Sequence, residues 1–152
     1  MKKILYDNQM FTFQRFGGAT RYFADLIFNL PADEFVAELP MRFCENHYVT
    51  ETYGRKYETM PFPASYKMRR RIYKVVNRLC AWRAVVKGDY DIFHPTYFNP
   101  YFLDPVKREQ KPFVLTVHDM AFERYPQDAL LYDNIIPNKK RLIVEADHII
   151  AV

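Results

Sequence analysis

Apolar positions along the chain repeat with two periods, which together predict strands alternating with helices. Short apolar runs predict strands at 3–6, 35–39, 91–94, 113–117 and 148–152, and a weaker run predicts another at 58–62. Apolar residues at helical spacing predict helices at 18–29, 65–87 and 138–146. This alternation is typical of a parallel α/β sheet with helices packed against it.

Local signals place the ends of two helices. Pro31 ends the helix at 18–29, because proline cannot continue a helical hydrogen-bond ladder. Gly88 ends the long helix at 65–87, because glycine accepts the left-handed conformation common just beyond a helix.

Length and composition predict one soluble domain of 152 residues. A net charge of +4 suits acidic ligands but is too small to indicate nucleic acid. The 13 Phe and 12 Tyr are unusually many, and they favour an apolar groove or a surface that meets a partner. Cys44 and Cys80 lack metal or redox spacing and are interpreted as reduced thiols. With no signal-peptide core and no apolar stretch of about 20 residues, a cytoplasmic location is expected.

Gly17 and Gly18 stand side by side between the first strand and the first predicted helix. A strand, a glycine turn and a helix N-terminus together form an anion site, because free N–H groups and the helix dipole point outward there. The pair therefore predicts contact with a phosphate; the alternative is a tight turn without a ligand.

Three loops are expected at the carboxyl edge of the sheet, where ligands of open α/β sheets bind: 7–21, 94–100 and 118–124. His94 and His118 each follow a strand directly, so either could carry a proton or contact a hydroxyl-rich ligand. His94 could instead be a hydrogen-bonded core histidine. Asp119 could orient His118 or only cap the next turn, and Arg21 could bind a phosphate or pair with Asp25.

Asp89 and Asp91 match an Asp-x-Asp pattern that holds divalent metals in some sugar-nucleotide enzymes. These acids precede a strand rather than follow it, which is the wrong edge for the site, so we do not interpret them as metal ligands.

The long helix at 65–87 carries an apolar stripe beside a basic one. The apolar stripe comprises Met68, Ile72, Val75, Val76, Leu79 and Val86, and the basic one Lys67, Arg70, Lys74 and Arg78. One interpretation packs the apolar face on the sheet; the other places a basic amphipathic helix on anionic lipid. Tyr73 and Trp82 suit either interpretation.

Five segments, taken in order, resemble the N-terminal domain of the family 4 (group 1) retaining glycosyltransferases. They are Ile4-Leu5-Tyr6-Asp7, Gly17-Gly18-x-x-Arg21-Tyr22, Asp91-Ile92-Phe93-His94-Pro95, Thr116-Val117-His118-Asp119 and Ala146-Asp147-His148-Ile149-Ile150-Ala151-Val152. The segments span nearly the whole chain, whereas residues 35–90 show little match.

The resemblance implies the N-terminal, acceptor-side Rossmann-like domain of a GT-B enzyme over residues 1–152, with the donor-binding domain outside this chain. It places Gly17 and Gly18 near the donor diphosphate, and His118 with Asp119 at the catalytic centre, where His118 faces the transferred sugar. Arg21, His94 and Asn99 are assigned to the acceptor side. Retaining transfer would need no metal or other cofactor, and helix-dipole and hydrogen-bond donors would stabilise the leaving phosphate.

The expected reaction moves a sugar from a nucleotide-sugar donor to a glycan or lipid-linked acceptor, in surface polysaccharide synthesis. Peripheral contact of the basic helix with the inner membrane face would suit that role. The chain ends on an apolar strand, so we expect one half of a larger protein that is inactive alone. The alternatives are a stand-alone nucleotide- or sugar-binding module and an interaction domain with an aromatic surface.

Overall fold

The computed structural model describes residues 1–55, 57–58, 65–125 and 134–152, which form parallel strands and flanking helices. The strands are β1 (Lys2–Tyr6), β2 (Phe35–Glu38), β3 (Ile92–His94), β4 (Val114–Val117) and β5 (His148–Ala151). The α-helices are α1 (Gln9–Phe13), α2 (Gly18–Phe28), α3 (Tyr66–Lys87), α4 (Leu103–Arg108), α5 (Ala121–Arg124) and α6 (Ile135–Glu145). One π-helical turn spans Tyr48–Thr52.

All strand pairs are parallel. β1 pairs with β2 and β3, and β4 pairs with β5. A single parallel bridge between Phe93 and Phe113 continues one sheet into the other, so the strands follow the order β2-β1-β3-β4-β5. The order reverses direction between β1 and β3, which is where open α/β sheets form a crevice beyond their carboxyl ends.

Two apolar cores lie on opposite faces of this sheet. Side chains of β1 alternate between them: Leu5 belongs to the core that includes α4 and α6, whereas Ile4 and Tyr6 belong to the core beneath α2. Both faces of the central strand β1 are therefore covered, which is the usual condition of a parallel sheet, whereas all four residues of β5 are exposed. The fold is α/β with a small parallel sheet and flanking helices, and it is compatible with a Rossmann-like fold.

The five stronger strand predictions are confirmed to within a residue or two at each end. The first helix is confirmed at Gly18–Phe28, and the last begins three residues before its predicted start. Of the weaker strand at 58–62, Glu58 forms an isolated bridge with Phe43, and residues 59–62 lie outside the described residues. The short helices α1, α4 and α5 were not predicted.

Both ends of α3 form as predicted. The Ser65 side chain accepts a hydrogen bond from the Met68 N–H at 3.3 Å, which is an N-cap. Gly88 adopts the left-handed conformation with φ of 69°, and its N–H donates to the carbonyl oxygen of Val85.

The face that α3 buries differs from the predicted one. Tyr73, Asn77, Ala81 and Val85 are the buried residues, whereas most of the predicted apolar stripe is exposed or half-buried. The stripe therefore does not pack on the sheet. Tyr73, Ala81 and Val85 pack inward beside Asn77, whose amide accepts from the Arg42 and Phe43 N–H groups and donates to the Phe43 carbonyl at 2.7 Å, so that these bonds anchor the buried face.

None of the helices within the described ranges is both long and apolar enough to cross a lipid bilayer.

Candidate functional site

Asp7 follows β1 directly and ties the two central strands together at the crevice. Its buried carboxylate accepts hydrogen bonds from the Thr96 N–H (2.8 Å) and hydroxyl (2.7 Å), from the Gln9 N–H (3.3 Å) and amide (2.6 Å), and from the Tyr101 hydroxyl (3.2 Å). Burial raises the pKa of Asp7, and these hydrogen bonds oppose part of that rise. The loops after β1 and β3 are therefore held as one unit.

Asn99 belongs to the same hydrogen-bond network as Asp7 and Gln9. Its N–H donates to the Gln9 side-chain carbonyl at 2.8 Å, its carbonyl accepts from the Gln9 amide at 3.2 Å, and its side chain accepts from the Tyr101 N–H. These bonds fix the loop after β3. Asn99 is not among the residues that line the pocket described next, and its predicted role toward an acceptor stays a prediction.

A pocket of about 180 Å³ opens at this edge of the sheet. Its walls come from all three predicted loops and from α1, α2, α5 and α6: Met10, Phe13, Gln14, Ala19, Tyr97, Phe98, His118, Asp119, Phe122 and Lys139. The first turn of α2 and the loop after β4 thus face one space, although about 100 residues separate them in sequence.

His118 lines the pocket, and its ring carries a buried polar atom. Its ring meets the rings of Tyr22 and Phe23 edge to face at 5.1 and 5.6 Å, which holds the imidazole in place. Burial lowers the pKa of His118, and nearby Asp119 opposes part of the shift, so the ring is neutral at pH 7. Within the described part of the chain, its buried Nε2 atom has no hydrogen-bond partner. A neutral imidazole with a free Nε2 can exchange a hydrogen bond with a ligand hydroxyl.

Asp119 caps the following turn, which was one of its two predicted alternatives. Its carboxylate accepts a hydrogen bond from the Ala121 N–H at 3.0 Å. Its backbone carbonyl accepts a hydrogen bond from the Lys139 ammonium. Both contacts shape the loop that presents His118.

Lys139 is a pocket residue that the sequence analysis missed. Its side chain is buried, and its ammonium donates to Glu123 at 3.1 Å and lies 5.4 Å from the Phe98 ring centroid. A signal was present: Lys139 stands at helical spacing between two residues of the buried face of α6, Ile135 and Leu142. A cation at such a position indicates a buried partner.

Gly17 and Gly18 begin α2, as predicted, beside the pocket. No side chain caps this helix start, so the first-turn N–H groups keep their capacity to donate. A Cβ on Gly17 would clash with the Gln14 side-chain oxygen, whereas one on Gly18 would meet nothing within 4 Å. That Gln14 oxygen, like His118 Nε2, is buried without a hydrogen-bond partner among the described residues.

Arg21 and His94 do not line the pocket. Arg21 is exposed and pairs with Asp25 at 3.6 Å, one of its predicted alternatives. His94 is buried, and its Nε2 shares a 2.8 Å hydrogen bond with the Thr116 hydroxyl. Burial lowers the pKa of His94 to about 4, with a smaller contribution from His118. His94 is therefore a neutral, hydrogen-bonded core histidine, and its predicted role toward an acceptor stays a prediction.

Asp89 and Asp91 lie at the opposite, amino edge of the sheet. Asp91 accepts a hydrogen bond from the Lys3 N–H at 2.7 Å, and Asp89 pairs with the Lys3 ammonium at 3.0 Å. Across the described ranges, no group of three or more His, Cys, Asp or Glu residues is placed to hold a metal ion.

A larger cavity of about 350 Å³ lies between the end of α2 and β2. It is lined by Ile27, Phe28, Leu30, Ala32, Phe35, Ala37, Leu39, Arg55 and Tyr57. It contains neither a carboxylate nor an imidazole and lies away from the crevice, so the smaller pocket is the better candidate for chemistry.

Comparison of the chain with protein-family models, with characterised proteins and with solved structures finds no match.

Proposed function

We propose that this chain is the acceptor-side domain of a retaining glycosyltransferase with two-domain GT-B architecture. The reaction moves a sugar from a nucleotide-sugar donor to a glycan or lipid-linked acceptor, in surface polysaccharide synthesis at the cytoplasmic side of the membrane. On this proposal, a second domain outside these 152 residues holds most of the donor.

The observation that carries the proposal is that His118 and the first turn of α2 line one pocket. Ala19 and His118 line the same 180 Å³ space. Among the described residues, no side chain caps the N–H groups at the start of α2, and none is a hydrogen-bond partner of the buried His118 Nε2. Helix N–H groups favour an anion, and a neutral imidazole favours a hydroxyl. A phosphorylated sugar carries both groups next to each other.

Each residue then has a defined task. The start of α2 stabilises the negative charge that develops on the leaving phosphate, because its dipole and N–H groups are fixed before the reaction. His118 orients the transferred sugar by one hydrogen bond from Nε2. Lys139 and the cap at Asp119 hold the His118 loop in its place.

The test is sugar transfer by the full-length gene product, with a panel of labelled nucleotide sugars and the membrane lipid fraction as acceptor. His118→Ala should lower kcat by about 100-fold or more, the usual effect of losing one positioned hydrogen-bond donor. His148→Ala, at an exposed histidine of β5, is the matched control and should leave kcat unchanged. Near-normal transfer by His118→Ala would contradict the proposal.

A second candidate function is a stand-alone nucleotide- or sugar-binding module without catalysis. One observation favours it: three loops and four helices of this domain contribute residues to the pocket. Isothermal titration of the 152-residue chain with UDP, GDP and ADP sugars separates the two. Micromolar affinity favours the module, whereas weak, millimolar binding is expected of a half-site.

A further inference from the structure

The outward face of α3 is a continuous apolar stripe. This outward stripe has Trp82 in place of Val76 of the predicted one, and its six residues are spaced by alternating steps of four and three: Met68, Ile72, Val75, Leu79, Trp82 and Val86. At roughly 100° per residue, all six lie within about 40° of one line along the helix. Met68, Val75, Leu79 and Trp82 are 54, 59, 52 and 45% exposed. Such an apolar surface on a folded domain marks an interaction site.

The stripe is exposed because the opposite side of α3 is anchored firmly. Asn77, on that opposite side, also donates to the Thr12 hydroxyl at 3.1 Å, in addition to its bonds to residues 42 and 43. Tyr73 stacks on Phe43 with ring centroids 4.7 Å apart. Rolling α3 to bury the stripe would break these contacts and bury arginines, so the stripe faces outward in the folded domain.

Cations border the stripe along both edges. Lys67, Arg71, Lys74 and Arg78 lie along one edge, and Arg69, Arg83 and Lys87 lie along the other. No Asp or Glu occurs anywhere in α3. Three of the seven have contacts in the domain: Arg69 lies 3.5 Å from Glu45, Arg78 over the Tyr101 ring, and Lys87 3.5 Å from Asp89. The other four extend from exposed positions.

We propose that the outward face of α3 binds an anionic membrane surface, with the stripe inserted at the level between headgroups and acyl chains. An apolar stripe bordered by Lys and Arg, with tryptophan on the apolar side, is the arrangement of helices that lie in this interface. A second copy of the chain is a poor occupant, because it would bring two strongly positive helices together without an acid between them.

Membrane binding by α3 is independent of the proposed reaction, but it would bring the pocket close to the lipid. Arg70 donates to the carbonyl oxygen of Phe13 at 3.3 Å, and Phe13 lines the pocket. A domain bound to the membrane through α3 would therefore hold the Phe13 side of the pocket near the membrane surface.

The experiment uses the chain itself and its single tryptophan, Trp82. Vesicles of phosphatidylcholine with phosphatidylglycerol should bind the chain in sedimentation and shift Trp82 emission to the blue, while pure phosphatidylcholine vesicles should do neither. Val75→Glu should weaken partitioning about tenfold or more, because it replaces an apolar side chain that the bilayer would bury with a charged one. Val144→Glu, at an 84% exposed valine of α6, is the matched control and should bind as wild type.

A charge variant tests the electrostatic part. Each cation near an anionic surface contributes about a fivefold gain in partitioning, so Arg71→Gln with Lys74→Gln should bind roughly 10- to 30-fold more weakly. Lys140→Gln with Arg141→Gln, two exposed cations of α6, is the control. Three results would overturn the proposal: binding without a Trp82 shift, which means headgroup attraction alone; equal binding by Val75→Glu; or a lipid-free dimer that Leu79→Glu dissociates.

Discussion

Replacing Asp7 should loosen the whole carboxyl edge of the sheet, although Asp7 does not line the pocket. In Asp7→Ala, five donors lose the carboxylate as an acceptor: two buried donors from Thr96, and three half-buried donors, two from Gln9 and the Tyr101 hydroxyl. Each buried donor left without a partner costs about 1–3 kcal/mol.

These costs do not add in full. The hydroxyl of Thr96 keeps an alternative acceptor in the Asp7 backbone carbonyl at 3.2 Å, and the Gln9 amide keeps the Asn99 carbonyl at 3.2 Å. Removal of the carboxylate also removes the cost of keeping it dehydrated. We expect a net loss of about 3–5 kcal/mol in the free energy of unfolding, because several neutral donors lose a partner at about 1–3 kcal/mol each and only part of that sum is recovered. In a domain of this size, that loss lowers Tm by about 6–20 °C.

Asp7→Asn isolates the hydrogen bonds from the shape of the side chain. Its amide would point an N–H₂ group at existing donors. Gln9 cannot turn its own amide to compensate, because both of its ends are bonded to the Asn99 backbone at 2.8 and 3.2 Å. This variant should therefore lose about 1–3 kcal/mol despite its matched shape.

Thermal and urea unfolding followed by circular dichroism measure both Asp7 variants. Asp33→Ala, in the exposed turn before β2, is the control and should change stability by less than about 0.5 kcal/mol. If Asp7→Asn unfolds at the same urea concentration as the wild type, Asp7 does not act as the acceptor that unites the two loops.

Three further predictions concern the pocket and its supports. Gly18→Val should leave Tm almost unchanged, because its side chain meets open space, but should weaken nucleotide-sugar binding; unaltered affinity in calorimetry would mean that Gly18 is only a turn. His94→Gln should flatten the pH dependence of the free energy of unfolding. The His94 pKa is about 4 in the native state and 6.5 in the unfolded state, so His94 lowers the stability of the wild type by about 3 kcal/mol as pH falls from 6.5 to 4. Equal acid sensitivity of variant and wild type would oppose the assignment of His94 as a buried, neutral histidine. Lys139→Met should lower the free energy of unfolding by about 3–5 kcal/mol, because it leaves the mostly buried Glu123 carboxylate without its cation. Adding Glu123→Leu should recover much of that loss in urea unfolding.

Local signals were enough to predict the elements whose ends are set by their own residues. Ser65 and Gly88 fix α3 through contacts within one turn, so its bounds were readable from sequence. The apolar runs of the strands likewise need no distant partner to be recognised. Short α1 was missed because its five residues depend on Asp7 and Thr96, which lie 89 positions apart.

The direction in which α3 faces was not predictable from its apolar residues alone, because polar Asn77 is among the residues that anchor the buried face. By residue type, Asn77 would be expected on the exposed face of α3. In the fold it accepts hydrogen bonds from the Arg42 and Phe43 N–H groups, which lie far from it in sequence. The two strand-end histidines show the same limit. His94 and His118 look alike in sequence, yet Thr116 satisfies one and no described residue bonds Nε2 of the other.

The most direct test of the central claim is a titration of the ¹⁵N-labelled chain with UDP, GDP and ADP sugars, followed by NMR of backbone amides and histidine rings. We expect one of these sugars to shift the amides of Gly18 and Ala19 together with the His118 ring, while His148 stays unchanged. Shifts confined to the cavity beside β2, or no shift of His118 at saturating ligand, would contradict it.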